Sequence, residues 1–422
     1  MTKGIIRALA CAALVSGLLI APTPAEAVTR TWSFTEVTGA AFPIQRGGVV
    51  TASVNCQSGY APVAGWLVPS VADDLRRNSE TMGLGSGAGY SVKVDDETGG
   101  SEVITVTPHV RCVSVNSFTA GTMITTPVQT FQVDDTSQLA EGEATCPSNY
   151  QVIGGSVSFG GTGGVALLTT APSLGPGWEA RGWHENDLGT MKVSANCVLA
   201  SDIPGAKLLG NTEAIGWGST SSAGCPSGTA VLTAGTYQVA GDGQAITINQ
   251  RLTVNGSLTG WSSTSLGSGY MQTRVLCVPT ASPTVSVSGP SGYINSNTVS
   301  WSFAATDPAA GAGYTMSTSC TVNHPGQTVG PYACSSPVTL TDLAEGAHSL
   351  TVIATTSDGR TGSSGRSIVV DTIAPLVTFD DPPDTAHPSS PSIGLTVSDA
   401  SSVGTLDCSL DDASPAPCPV GT

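Results

Sequence analysis

Three stretches of this chain open alike at a cysteine: "CQSGYAPVAG" from Cys56, "CPSNYQVIGG" from Cys146 and "CPSGTAVLTAG" from Cys225. Each is followed by a second cysteine that precedes a valine: Cys112-Val113, Cys197-Val198 and Cys277-Val278. Seven places after each opening cysteine stands a branched apolar residue, Val63, Ile153 or Leu232. Between the cysteines lies a glycine-aromatic step, at Gly89-Tyr90, Gly177-Trp178 and Gly260-Trp261. Landmarks kept in one order three times over mark a repeated unit of about 80–90 residues, a small domain rather than a solenoid turn. The spacing pairs Cys56 with Cys112, Cys146 with Cys197 and Cys225 with Cys277. Closing a loop of about 50 residues stabilises a fold by roughly 4 kcal/mol in the chain-entropy account. That counts in a unit with few large apolar side chains to bury.

Cysteines pair in oxidising compartments, and the start of the chain points to one. "MTKGIIRALACAALVSGLLIAPTPAEA" has basic Lys3 and Arg7, an apolar run, and Ala25-Glu26-Ala27, the plan of a cleaved secretory signal over 1–27. The run is too short for a membrane span, which needs roughly 20 apolar residues, and no later segment is long enough. The expected mature chain therefore has no transmembrane segment. A net charge of −16 argues against nucleic acid and anionic lipid as partners. Charged residues make up only 11% of the chain, and Gly, Ser, Thr and Val take their place. That composition favours turn-rich strands over helices. "MKVSANCVL" and "MQTRVLCVP" alternate around the closing cysteines as strands do, and "GLGSGAG" and "FGGTGG" read as turns or bulges. The expected fold is all-β, with disulfide-stapled repeats over 28–114, 115–200 and 201–280.

After Pro279 the pattern changes. Val299, Trp301 and Phe303 alternate, Cys320 and Cys334 frame a hairpin, and Leu350, Val352 and Ala354 fall on one strand face. Cys334-Ser335-Ser336-Pro337, Leu343, Gly346, His348, Val352, Ala354 and "VDTIAP" (370–375) resemble the bacterial immunoglobulin-like repeat family. Ile373 departs from the family's usual threonine. The resemblance covers about 282–375 and implies a seven-stranded β-sandwich, here placed at 281–375, used as a spacer or adhesive unit on secreted bacterial proteins. A partial second copy fills 376–422, with "CSLDDASPAPC" repeating the cysteine hairpin as Cys408 and Cys418. Its missing strands lead us to expect further sequence downstream. More loosely, the three front repeats resemble modules of exported actinomycete proteins.

Chemistry is sparse. His109, His184, His324, His348 and His387 are scattered, with no metal-ligand spacing among them. There is no nucleophile elbow and no phosphate loop. Acidic pairs at Asp95-Asp96-Glu97, Asp134-Asp135, Asp380-Asp381 and Asp411-Asp412 leave calcium open, though none matches an EF-hand loop. No other cofactor is implied. The densest polar cluster is "GWEARGWHENDLG" around Glu179, His184, Glu185 and Asp187. Trp178, Trp183, Trp217 and Trp261 are candidates for stacking on sugar rings.

These features lead us to expect an exported or surface-held bacterial protein without catalysis. It would act as a stalk or adhesion-like scaffold whose partner is an extracellular protein or a polysaccharide. The alternative is a set of carbohydrate-binding accessory modules for a hydrolase encoded beyond residue 422.

Overall fold

The computed structural model describes residues 32–45, 47–70, 75–96, 103–161, 164–185, 189–215, 219–240, 247–254, 258–265, 269–379, 394–399, 406–409 and 414–417. The predicted signal segment 1–27 lies outside them. The described chain is strand throughout, with three single-turn 3-10 segments. Among the described residues no helix is long and apolar enough to cross a membrane.

The first repeat contributes β1 (Phe34–Thr38), β2 (Phe42–Ile44), β3 (Val49–Asn55), β4 (Tyr60–Pro69), β5 (Leu75–Met82), β6 (Gly89–Asp96) and β7 (Ile104–Ser114). The second contributes β8 (Ile124–Thr125), β9 (Gln129–Gln132), β10 (Leu139–Thr145), β11 (Tyr150–Gly160), β12 (Val165–Pro172), β13 (Gly177–His184) and β14 (Thr190–Leu199). The third contributes β15 (Lys207–Ile215), β16 (Thr220–Gly224), β17 (Thr229–Ala240), β18 (Thr247–Val254), β19 (Leu258–Ser265) and β20 (Gly269–Pro279). Alternation sets their faces: along β3, Ala52 and Val54 point inward while Thr51 and Ser53 face solvent.

Each repeat forms two short layers. In the first, β7 lies between β4 and the β1–β2 edge, and β6 lies between β3 and β5. The other two repeats copy this arrangement, but the layers do not stay within their own repeat. β5 pairs antiparallel with β11 through Glu80 and Val157, and β12 pairs with β17 through Thr170 and Thr236. The result is a seven-stranded sheet spanning repeats one and two and a six-stranded sheet spanning two and three. β18 of the third repeat lies beside β4 of the first, closing a ring.

The sequence landmarks sit at the middle of that ring. The opening strands shift register between Pro62 and Ala64, Val152 and Gly154, and Val231 and Thr233. Each bulge turns its extra residue out of the ladder, and those residues are Val63, Ile153 and Leu232. All three are fully buried, in one cluster with Val113, Val198 and Val278, the valines after the closing cysteines. The glycine-aromatic step fills each repeat's own core: Tyr90, Trp178 and Trp261 pack with the cysteines of their own repeats. A Cβ at Gly65 would fall 2.1 Å from the Tyr90 ring, and one at Gly155 would fall 2.2 Å from Trp178. In the first two repeats the glycine nine places after the opening cysteine is thus required by a flat ring, whereas the third repeat has Ala234 there, packed in the core with Trp261.

Disulfides join Cys56–Cys112, Cys146–Cys197, Cys225–Cys277 and Cys320–Cys334. Cys408 is also disulfide-bonded, and Cys418 lies outside the described residues.

Residues 284–370 form a sandwich. β21 (Thr284–Ser288), β23 (Val299–Thr306) and β26 (Val338–Leu340) make one sheet. The facing sheet runs in the order β22 (Gly292–Ile294), β28 (Thr361–Val370), β27 (Gly346–Thr356), β24 (Met316–His324) and β25 (Gln327–Ala333), with β22 parallel to β28. Trp301 is fully buried between them, packed with Cys320, Leu350 and Val352. Beyond it, β29 (Leu376–Phe379) pairs with β30 (Leu395–Ser398), and β31 (Asp407–Cys408) pairs with β32 (Ala416–Pro417).

One seam carries a buried charge. Glu80 and Arg77 form an ion pair at 3.1 Å, both buried, beside Tyr90. Burial raises the Glu80 carboxyl from 4.5 to about 6, against the lowering pull of Arg77. A raised folded-state value favours the neutral acid, so its contribution is fully present below pH 4.5 and is lost as pH rises through about 6. The loss is about 2 kcal/mol. Urea melts at pH 4.5 and 7 should show that difference in wild type, and Glu80→Gln should remove it.

Candidate functional site

The cluster on β13 is built by alternation. Trp178 and Ala180 point into the core, while Glu179 and Arg181 face outward on the sheet shared by repeats two and three. Arg274 of β20 reaches across that sheet to pair with Glu179, donates from Nη1 to the Pro172 carbonyl at 3.1 Å, and from Nε to Gln272 at 2.6 Å. Its guanidinium lies 5.3 Å from the centre of the Tyr237 ring. Burial lowers the Arg274 guanidinium to about 10, with Glu143 pulling it back up. Arg181 pairs with Glu141 at 2.8 Å. The Trp183 indole donates to Gln138 at 3.1 Å, and the Glu185 carboxylate accepts from the Gly164 amide at 2.7 Å. His184 is fully buried, packed so closely on Gly189 that a Cβ there would lie 2.4 Å from its ring. Asp187 lies outside the described residues. The described side chains of this cluster are committed to one another and to the backbone. The cluster therefore acts as a latch between repeats two and three.

The sugar-stacking expectation is corrected at two positions. Trp178 is 1% exposed and Trp261 0%, so neither offers a ring face to a ligand. Both are the aromatic half of the repeated glycine-aromatic step, which could have marked them as core. Trp183 is half-buried, and Trp217 lies outside the described residues.

The histidines separate into three environments. His109 stacks on Trp66 at 5.2 Å, hydrogen bonds Thr38 at 3.1 Å, and is lowered by burial. His184 is structural, as above. His324 and His348 face each other across β24 and β27, with their Nδ1 atoms 2.9 Å apart. The Ala344 carbonyl can only accept, so His348 donates to it from Nε2–H, at 2.8 Å. Sequence spacing could not reveal this pair, because strand register creates it. His387 lies outside the described residues.

Among the described residues no group of three or more His, Cys, Asp or Glu is placed to hold a metal ion. Asp134 caps a turn instead, its Oδ1 accepting from the amides and hydroxyls of Thr136 and Ser137, which hold its carboxyl well below the usual range. Asp95 accepts from Asn78 at 3.2 Å, and Asp96 is buried. Glu97, Asp380, Asp381, Asp411 and Asp412 lie outside the described residues.

The joint between ring and sandwich is more extensively bonded. Arg360 donates two hydrogen bonds to Asp307, at 2.8 and 3.1 Å, one to Asp358 at 2.7 Å, and one to the Ala281 carbonyl in the connecting segment at 2.6 Å. Lys207 of the third repeat bonds the Ala312 carbonyl and lies 4.4 Å from the centre of the Tyr314 ring. The Tyr314 hydroxyl donates to the Gly205 carbonyl and is pushed up to about 12, chiefly by burial. A cleft of about 220 Å³ remains at this joint, lined by Trp32, Ser201, Pro204, Pro279 and the Asp358–Arg360 turn.

No family model matches the chain, and no curated protein matches it. Among solved structures it is similar to Escherichia coli alpha-2-macroglobulin activated by porcine elastase, at 8% identity and a TM-score of 0.18. That match covers 79% of this chain and 45% of that one, so the chain spans under half of its length. An overlap so slight carries no argument about fold or function.

Proposed function

We propose that this is an exported, non-catalytic presenting scaffold of a bacterial surface. The three-repeat ring is the presented head, and the sandwich is the first segment of an immunoglobulin-like stalk. The observation that carries the reading is the joint. A flexible tether needs no specific contacts, whereas Arg360, in the turn between β27 and β28, ties that turn and Asp307 at the end of β23 to the connecting segment, and Lys207 and Tyr314 cross from one unit to the other. Bonding of that kind fixes the angle at which a head is held. The stapled, all-β construction of every unit supports an extracellular setting.

Small-angle scattering tests it. The wild-type chain should scatter as one rigid particle. Lys207→Ala combined with Tyr314→Phe removes the bonds to the Ala312 and Gly205 carbonyls that cross from one unit to the other, and should weaken the joint by about 2 kcal/mol. The variant should show a larger radius of gyration, with both units still folded. A wild type already as loose as the variant would remove the stalk reading. Export is checked separately, by finding the protein outside the cell with Val28 at its amino terminus.

A further inference from the structure

The outer face of the sheet shared by repeats one and two carries a polar row whose side chains make no hydrogen bond or ion pair with other side chains among the described residues. Register places Thr51 beside Lys93 and Lys93 beside Ser79. Glu80 opposite Val157 sets Ser79 beside Ser158, which lies beside Lys192, itself beside Thr130. Across six adjacent strands the row reads Thr, Lys, Ser, Ser, Lys, Thr. A second row, one pleat away, reads Ser53, Ser91, Thr81, Ser156 and Ser194. Thr51, Lys93, Lys192 and Thr130 are exposed, and Ser79 and Ser158 are half-buried. Only four lysines occur in the whole chain. Lys207 is spent at the joint and Lys3 lies in the signal segment, so the two others stand together here. Neither ammonium has an ion-pair partner among the described residues.

The equivalent row on the sheet shared by repeats two and three is Glu141, Arg181, Thr169, Tyr237 and Gln272. There the charges neutralise each other and Tyr237 is bulky. On a chain of net charge −16, a face that carries two exposed lysines among hydroxyls, and whose carboxylate two residues along β6, Asp95, accepts from Asn78, is complementary to one kind of partner. We propose that this face binds a linear acidic polysaccharide laid across the strands. Its sugar hydroxyls would bond Thr51, Ser79, Ser158 and Thr130 of the first row, and its carboxylates would meet Lys93 and Lys192. The two lysines are three strand spacings apart, about 14 Å. Widely spaced anionic groups suit that arrangement. Duplex DNA, with a charge every ~1.7 Å, would meet far too few cations. The proposal rests on the scaffold reading and supplies what the head would hold.

The test measures binding of the full chain to hyaluronan, whose carboxylates fall on alternate sugars, to neutral dextran, and to a DNA duplex. Wild type should bind hyaluronan, with affinity falling as salt rises, and should bind dextran and DNA at least tenfold more weakly. Lys93→Ala and Lys192→Ala should each weaken hyaluronan binding about threefold, and the double variant about tenfold. Both lysines are exposed, so the double variant should keep the wild-type melting temperature. No hyaluronan binding by wild type, equal binding by the double variant, or equal binding of dextran or DNA would each overturn the site. Scattering of the double variant separates the two ideas. A rigid particle that binds no glycan leaves the scaffold reading standing without this ligand.

Discussion

Replacing Cys146 and Cys197 together by alanine should destabilise the ring by about 4 kcal/mol. The damage should not stay in the second repeat. β11 and β14 of that repeat belong to the sheet that contains β5, while β12 and β13 belong to the sheet that contains β17. The stapled repeat therefore sits in both shared sheets, and loosening it removes a neighbour from each of the others. Calorimetry of wild type should show one cooperative transition for residues 32–280, shifted to lower temperature in the double alanine variant. Three resolved transitions, or loss confined to one third of the ring's amides in hydrogen exchange, would show that the repeats fold independently.

Trp66→Ala should cost about 3–5 kcal/mol, the range for removing a large buried aromatic. Trp66 belongs to the first repeat but packs within the third repeat's core, edge-on to Trp261 with ring centres 6.0 Å apart, beside Val231, Val275 and the Cys225–Cys277 bridge. It lies on β4, the strand that runs beside β18, where among the described residues no ladder joins the two strands. The other two seams have paired strands. This one depends on a side chain, so truncation should open the ring between its first and last repeats. Hydrogen exchange should quicken in β4 and β19 before it does in β11 and β14. Uniform quickening across the ring would mean that Trp66 is an ordinary core residue.

Much of this was legible in one dimension. The disulfides could be read because the opening and closing cysteines recur at nearly fixed intervals, and the strands because alternation is a local property. What could not be read was adjacency. Val63, Ile153 and Leu232 stand out as repeated landmarks, yet only the bulge and the meeting of three strands turn them toward a common centre. Trp178 and Trp261 carried the signal of their core role in the repeated glycine-aromatic step, but the charged neighbours of Trp178 drew attention to the surface. The His324–His348 pair and the Lys93–Lys192 row exist only once registers are set, since their members are 24 and 99 residues apart in the chain.

The closure between β4 and β18 bears on how the polypeptide is made. Synthesis delivers the first repeat well before the third, and domains of a growing chain generally fold from the amino terminus onward. Here the earliest unit emerges with Trp66 uncovered, and its seat is not complete until Trp261 and Cys277 have been translated. Some 200 residues must therefore wait in a partly exposed state. A chain interrupted after the second repeat would carry an apolar indole and bare strand edges, which makes premature termination a route to aggregation rather than to a smaller working protein.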